Sequence, residues 1–365
     1  MKKQPAILFI VMFFTGTLVS GQDVHFNDSL RNNITKAATD SLRIEAMYEY
    51  MKTNLNNNTS DFEPYIKQMA SLSRKIKFKW GLSTAYILGL SYHKNQGDYE
   101  NALKYADSAL AVTNGDTSGN MRINLGHIFL NRGNLMYNMG DYENALSNYF
   151  KASAIYKREH HKLLASTYSN ISNCFMELSN SPKAIEYSLA AVQTAKSFDD
   201  KRLLATNMMN LATAYMNNGD YQAADSLMNL VWPVVVQLQN SKSFHVYYYN
   251  KGDVEAYYKK DTIKALGYYQ KSYEYALKNE DVSQQAKALD LIISFQLDLK
   301  QKAVKDNIDK LYQLAVENAL GDETAAALDF YSTWYRIQKD YKKAYEYQSK
   351  YIEISDSIHS VSIKE

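Results

Sequence analysis

Asparagine recurs along this 365-residue chain at a nearly fixed step. Asn131, Asn170, Asn210 and Asn250 are separated by 39, 40 and 40 positions, and Asp290 continues the step by another 40. Three positions further on stand Asn134, Asn173, Thr213 and Asp253, and four beyond those Asn138, Glu177, Asn217 and Tyr257. Positions i, i+3 and i+7 share one face of a helix, so these residues describe a polar stripe repeated along the chain. An amide side chain carries a donor and an acceptor together, the pair that a peptide backbone amide needs. The same groups can instead tie neighbouring helices to one another. Spacing alone leaves both uses open.

The elements that carry this stripe announce themselves through their turns. Gly140-Asp141-Tyr142-Glu143-Asn144-Ala145-Leu146 is nearly duplicated at Gly97–Leu103, with weaker echoes at Gly219-Asp220-Tyr221 and Lys339-Asp340-Tyr341. The alanine of this string marks a period: Ala102, Ala145, Ala184, Ala224, Ala265, Ala303 and Ala344 lie 38 to 43 residues apart. A residue tolerant of the left-handed region ends one helix, Asp caps the next, and the small alanine lets two helices approach. A period near 40 with one such turn per unit predicts stacked helix hairpins. Four prolines and fourteen glycines in the whole chain agree with an all-helical protein. Pro233, about a dozen residues into a predicted helix, is expected to kink or end it.

Gly133-Asn134, Tyr137, the Gly-Asp-Tyr turn, Ala145, Tyr149 and Ala152 resemble a tetratricopeptide repeat. The resemblance implies an all-α, right-handed α-solenoid of about eight hairpins over residues 40–357, with units longer than the usual 34 residues. It also implies a concave groove for a protein or peptide. The polar stripe resembles the asparagine ladder that holds an extended peptide in some members. On that reading Asn131, Asn134, Asn138, Asn170, Asn173, Asn210, Asn217, Asn250 and Tyr257 line the groove. Asp340–Tyr347, Tyr351 and Asp356-Ser357 are similar to the last repeat of extracytoplasmic regions of bacterial membrane regulators, and on that resemblance the membrane span and output of the signalling system are expected on a separate partner.

The first 21 residues read as a secretory signal peptide: Lys2-Lys3, an apolar run from Ala6 to Val19, and Val19-Ser20-Gly21 at the cleavage site. Residues 22–39 read as a polar lead-in and 358–365 as a tail. A periplasmic location is therefore expected, without direct membrane insertion after cleavage. The mature chain would hold 39 basic and 39 acidic residues, without the basic excess of nucleic-acid binders. Cys174 stands alone and can form no internal disulfide. His160-His161 fits a solvated turn better than a metal site. The nine tyrosines between Tyr247 and Tyr275 fit helix packing, with a contact patch as the second reading.

No linear signature of metallopeptidase, phosphate-binding loop, dinucleotide fold or serine hydrolase occurs. A non-enzymatic chain with no cofactor or metal is expected. Two functions fit: an exported scaffold or adaptor for a protein or peptide, or the ligand-sensing input of a bacterial signalling system. The second calls for a separate, membrane-bound signalling partner.

Overall fold

The computed structural model describes residues 20–54, 62–116 and 118–362. The predicted signal segment, Ser20 and Gly21 apart, lies outside the described residues. Seventeen α-helices and no strand occur among those described. After α1 (Ser20–Lys36), which occupies most of the polar lead-in, sixteen helices pair as eight hairpins. The chain divides into two compact units, residues 1–131 and 132–365. The first holds α1, α2 (Asp40–Asn54), α3 (Phe62–Lys75), α4 (Lys79–Asn95), α5 (Tyr99–Thr113) and most of α6 (Gly119–Asn138). The second continues with α7 (Tyr142–Arg158), α8 (Leu163–Glu177), α9 (Ser181–Ser197), α10 (Lys201–Asn217), α11 (Tyr221–Leu238) and α12 (Ser241–Asp253). It closes with α13 (Thr262–Lys278), α14 (Val282–Asp298), α15 (Val304–Glu317), α16 (Gly321–Ile337) and α17 (Tyr341–Ser362). Each unit is a solenoid of paired helices.

The turns work as their residues dictate. Gly97, Gly140 and Gly219 have φ of 73, 77 and 82°, and the following Asp accepts a bond from the backbone N–H three residues on. Elsewhere a non-glycine residue occupies the left-handed position, among them Ser179, Lys260, Lys300 and Lys339. Asn180, Asp261 and Asp340 then supply the cap. Those four described turns therefore tolerate a non-glycine residue in the left-handed region that side chains usually avoid. Ala102, Ala145, Ala184, Ala224 and Ala265 are fully buried, as close helix approach requires.

Ala303 breaks the rule. It is exposed just before α15, and Val304 takes the buried place. Pro233 does not end its helix either: α11 runs through it. Pro233 and Asn229, the residue whose carbonyl loses its helical donor, are both exposed.

A second device holds the hairpins. A Cβ placed on Gly89, Gly133 or Gly252 would lie 2.5, 2.6 or 2.4 Å from the ring of Tyr105, Tyr149 or Tyr269. In each case the tyrosine of the hairpin's second helix lies flat on the bare backbone of the first. Tyr149 and Tyr269 are almost wholly buried, so each hydroxyl needs a partner within the protein.

Candidate functional site

The hydroxyl partners come from the polar stripe. Tyr149 donates to Asn134 Oδ1 at 2.8 Å, and Tyr269 donates to Asp253 Oδ1 at 2.7 Å. Asn134 and Asp253 are equivalent positions three repeats apart. Burial pushes the Asp253 carboxyl up to about 6, against the opposing pull of the Tyr269 hydroxyl. Asn134 Oδ1 also accepts from Asn170 Nδ2 at 2.9 Å, which stitches α8 to α6 within the second unit.

Asn250 is similarly committed. It is 4 % exposed and donates to Met209 O at 3.2 Å and Thr213 Oγ1 at 3.1 Å, joining α12 to α10. In the first unit Asn131 accepts from Ser91 Oγ and donates to His127 O. Asn217 is exposed, with its amide 3.2 Å from Met176 Sδ. Tyr257 is also exposed, its ring 6.3 Å from that of Tyr221. Asn138 is exposed and makes no side-chain hydrogen bond among the described residues.

Asn173 and Asn210 differ from all of these. Both are half-buried, and neither side chain has a hydrogen-bond partner among the described residues. The reason is visible one repeat away. Where the neighbouring repeat has the Gly133–Tyr149 pair, this one has Ser172 and Ser188, whose hydroxyls bond each other at 2.7 Å. No tyrosine hydroxyl therefore reaches Asn173. Asn170 donates to Asn134, and Asn250 donates to Thr213, but the equivalent bond from Asn210 to Asn173 is not made. Two partly exposed amides, pledged to no protein group among the described residues, thus stand on adjacent first helices, α8 and α10.

Further along the first helices a cavity of about 260 Å³ opens, lined by Tyr249, Lys287, Asp290, Leu291, Asp322 and Glu323 among others. Burial raises the Asp290 carboxyl above its ordinary range, and Glu323 adds to the effect. Burial also pushes the Tyr249 hydroxyl up to about 12, helped by Asp253 and Asp290. Asp290 continues the asparagine step in the sequence; nothing comparable marks Asp322 and Glu323. Among the described residues no group of three or more His, Cys, Asp or Glu could hold a metal ion, and no helix is long and apolar enough to cross a membrane.

Cys174 is buried, which pushes its thiol up to about 12. The tyrosine-rich sixth repeat splits in two. Tyr247 and Tyr269 are core residues, while Tyr248 stacks on Phe244, Tyr268 and Tyr275 with the Lys271 ammonium over its ring.

Residues 84–118, in α4, α5 and the turn beyond, match the tetratricopeptide repeat family. No curated protein matches the chain in sequence. Solved structures share the fold. Aspartyl phosphate phosphatase F from Bacillus subtilis is 17% identical at a TM-score of 0.59, over 92% of this chain and 90% of that one. A Rap protein complexed with competence and sporulation factor is 12% identical at 0.61, over 93% and 94%. NprR in complex with its cognate peptide NprX is 17% identical at 0.54, over 87% and 93%.

Two expectations are corrected by this comparison. The first was a non-enzymatic chain: a structure sharing the fold over nine-tenths of both chains is named a phosphatase, so the repeat architecture is no argument against catalysis. The second was a periplasmic location, which the comparison overturns: the structures that share the fold are a phosphatase, Rap proteins and the quorum sensor NprR. The likeness also runs to Rap and NprR regulators in general and is not specific to extracytoplasmic regions of membrane regulators. Residues 84–118 thus match one tetratricopeptide repeat, and the described residues fold as tetratricopeptide-like hairpins.

Proposed function

We propose that this chain is the peptide-sensing input module of a signalling system, and that it holds an extended peptide across the first helices of its second unit. The observation that carries this reading is the pair Asn173 and Asn210. Their amide atoms are open to solvent and pledged to no protein group, so an extended backbone, which offers donors and acceptors at suitable intervals, can bond to them in place of water. Asn134, Asn170 and Asn250 act differently: they fix the helices so that the two free amides are presented rigidly, which lowers the ordering cost of binding. The fold is shared with NprR bound to its cognate peptide and with a Rap protein bound to competence and sporulation factor, which supports a peptide as ligand.

The test is a phage-displayed library of random short peptides panned on the full chain, with calorimetric titration of those selected. Asn173→Ala combined with Asn210→Ala should weaken binding by about tenfold or more, with the melting temperature within about 2 °C of the parent. Asn134→Ala, which strands the Tyr149 hydroxyl, should lower the melting temperature instead. Selected peptides that bind the double variant as tightly as the parent would overturn the assignment.

A further inference from the structure

The last helix presents two faces. One packs on α16: Ala344 is buried, the Tyr347 ring stacks on Tyr331 and Tyr335, and Gln348 accepts from Ser332. Lys343 and Lys350 fold back over the rings of Tyr335 and Tyr347. The opposite face carries Tyr341, Tyr345, Ser349, Ile352 and Asp356 at helical spacing, all exposed. Tyr341 is 67 %, Tyr345 75 % and Ile352 50 % exposed. Three large apolar side chains in one row on a repeat's outer helix are the kind of surface that a further layer normally covers.

Charge says what that layer is. Lys342, Glu346 and Glu353 flank the row and Asp356 ends it; all four are exposed and have no ion-pair partner among the described residues. The free cation lies in the first turn and the free anions Glu353 and Asp356 lie towards the far end. An antiparallel copy of the same helix complements this order; a parallel copy would set Lys342 against Lys342 and Glu346 against Glu346.

We propose that this face docks a second copy of the chain, α17 against α17 about a two-fold axis near Ser349. Tyr345 then packs on Ile352 of the second copy, and Lys342 meets its Asp356. The interface is isologous, each contact occurring twice. Ser349 at the crossing point is small enough for close approach. Its hydroxyl already donates to Tyr345 O at 3.0 Å, so burying it strands no polar group.

Sedimentation equilibrium of the full chain, from about 1 to 100 µM, tests this. The parent should reach a dimer. Tyr345→Glu with Ile352→Glu should be monomeric, with helical circular dichroism and melting temperature unchanged. Lys342→Glu alone should raise the dissociation constant by about tenfold, because two pairs turn repulsive, and adding Asp356→Lys should restore it to within about threefold. A parent that stays monomeric throughout overturns the proposal, whether residues 1–19 or another protein covers the face. A dimer indifferent to these substitutions overturns it equally.

Discussion

At the scale of single residues, the same stripe position does different work according to what stands sixteen or so residues later. Asn134 and Asp253 each receive a buried tyrosine hydroxyl; Asn173 faces Ser188, already engaged with Ser172, and is left free. The comparison also shows that a neutral amide can serve where Asp253 stands, which gives a prediction with a definite sign. The folded carboxyl holds its proton up to about 6, whereas the unfolded one loses it near the ordinary carboxylate value of about 4. Between those values the native state binds more protons, so stability falls as pH rises through the window and the contribution is gone above it. Asp253→Asn keeps the acceptor for Tyr269 and removes the ionisation. It should flatten the pH dependence of denaturant unfolding across that window and raise stability near pH 7.5 by about 1–3 kcal/mol. A variant no more stable than the parent at that pH would show that Asp253 ionises without cost.

At the scale of the hairpin, two glycines are needed for different reasons, and the difference is measurable. Gly140 has φ of 77° and open space around its missing Cβ. Gly140→Ala therefore costs only backbone strain, about 1 kcal/mol. Gly133 is helical, but an added Cβ would meet the Tyr149 ring at 2.6 Å, and that ring is pinned by its bond to Asn134. Gly133→Ala should cost about 1–3 kcal/mol and, by shifting Tyr149, disturb the Asn134–Asn170 bond as well. Asp141→Ala, which leaves the Asn144 N–H uncapped, should cost about 1 kcal/mol. Equal melting temperatures for Gly133→Ala and Gly140→Ala would refute the distinction. The turn strings made the hairpins legible in the sequence, because a left-handed residue followed by a cap is a local requirement. Ala303 misled because α15 starts without a capping side chain and Val304 fills the gap, a packing substitution that composition cannot reveal. The helix over Ser20–Lys36 was hidden for a related reason: its polar residues carry little apolar periodicity.

At the scale of the whole molecule, repetition reads clearly from sequence and occupancy does not. The forty-residue step places polar residues at equivalent positions of successive first helices, since periodicity alone sets that. Which asparagines remain free depends on pairings across 36 to 41 residues, such as Asn170 with Asn134 and Asn250 with Met209, and these depend on how neighbouring hairpins stack. The cavity at Asp290 shows the same limit, because Asp322 and Glu323 join it only through the packing of α16 on α14. Since stability in a stacked array is largely a sum of neighbouring contacts, a peptide bound at α8 and α10 should act on the unit that holds it. At a concentration about a hundred times its dissociation constant, linkage adds about 2.7 kcal/mol to the bound state. Hydrogen exchange should then slow in α8, α10 and α12, while α2 to α5 of the first unit exchange as before. The Asn173→Ala, Asn210→Ala variant should show neither effect at the same peptide concentration. Slowing confined to α2–α5 would place the ligand in the first unit, and the free amides of the second would need another explanation.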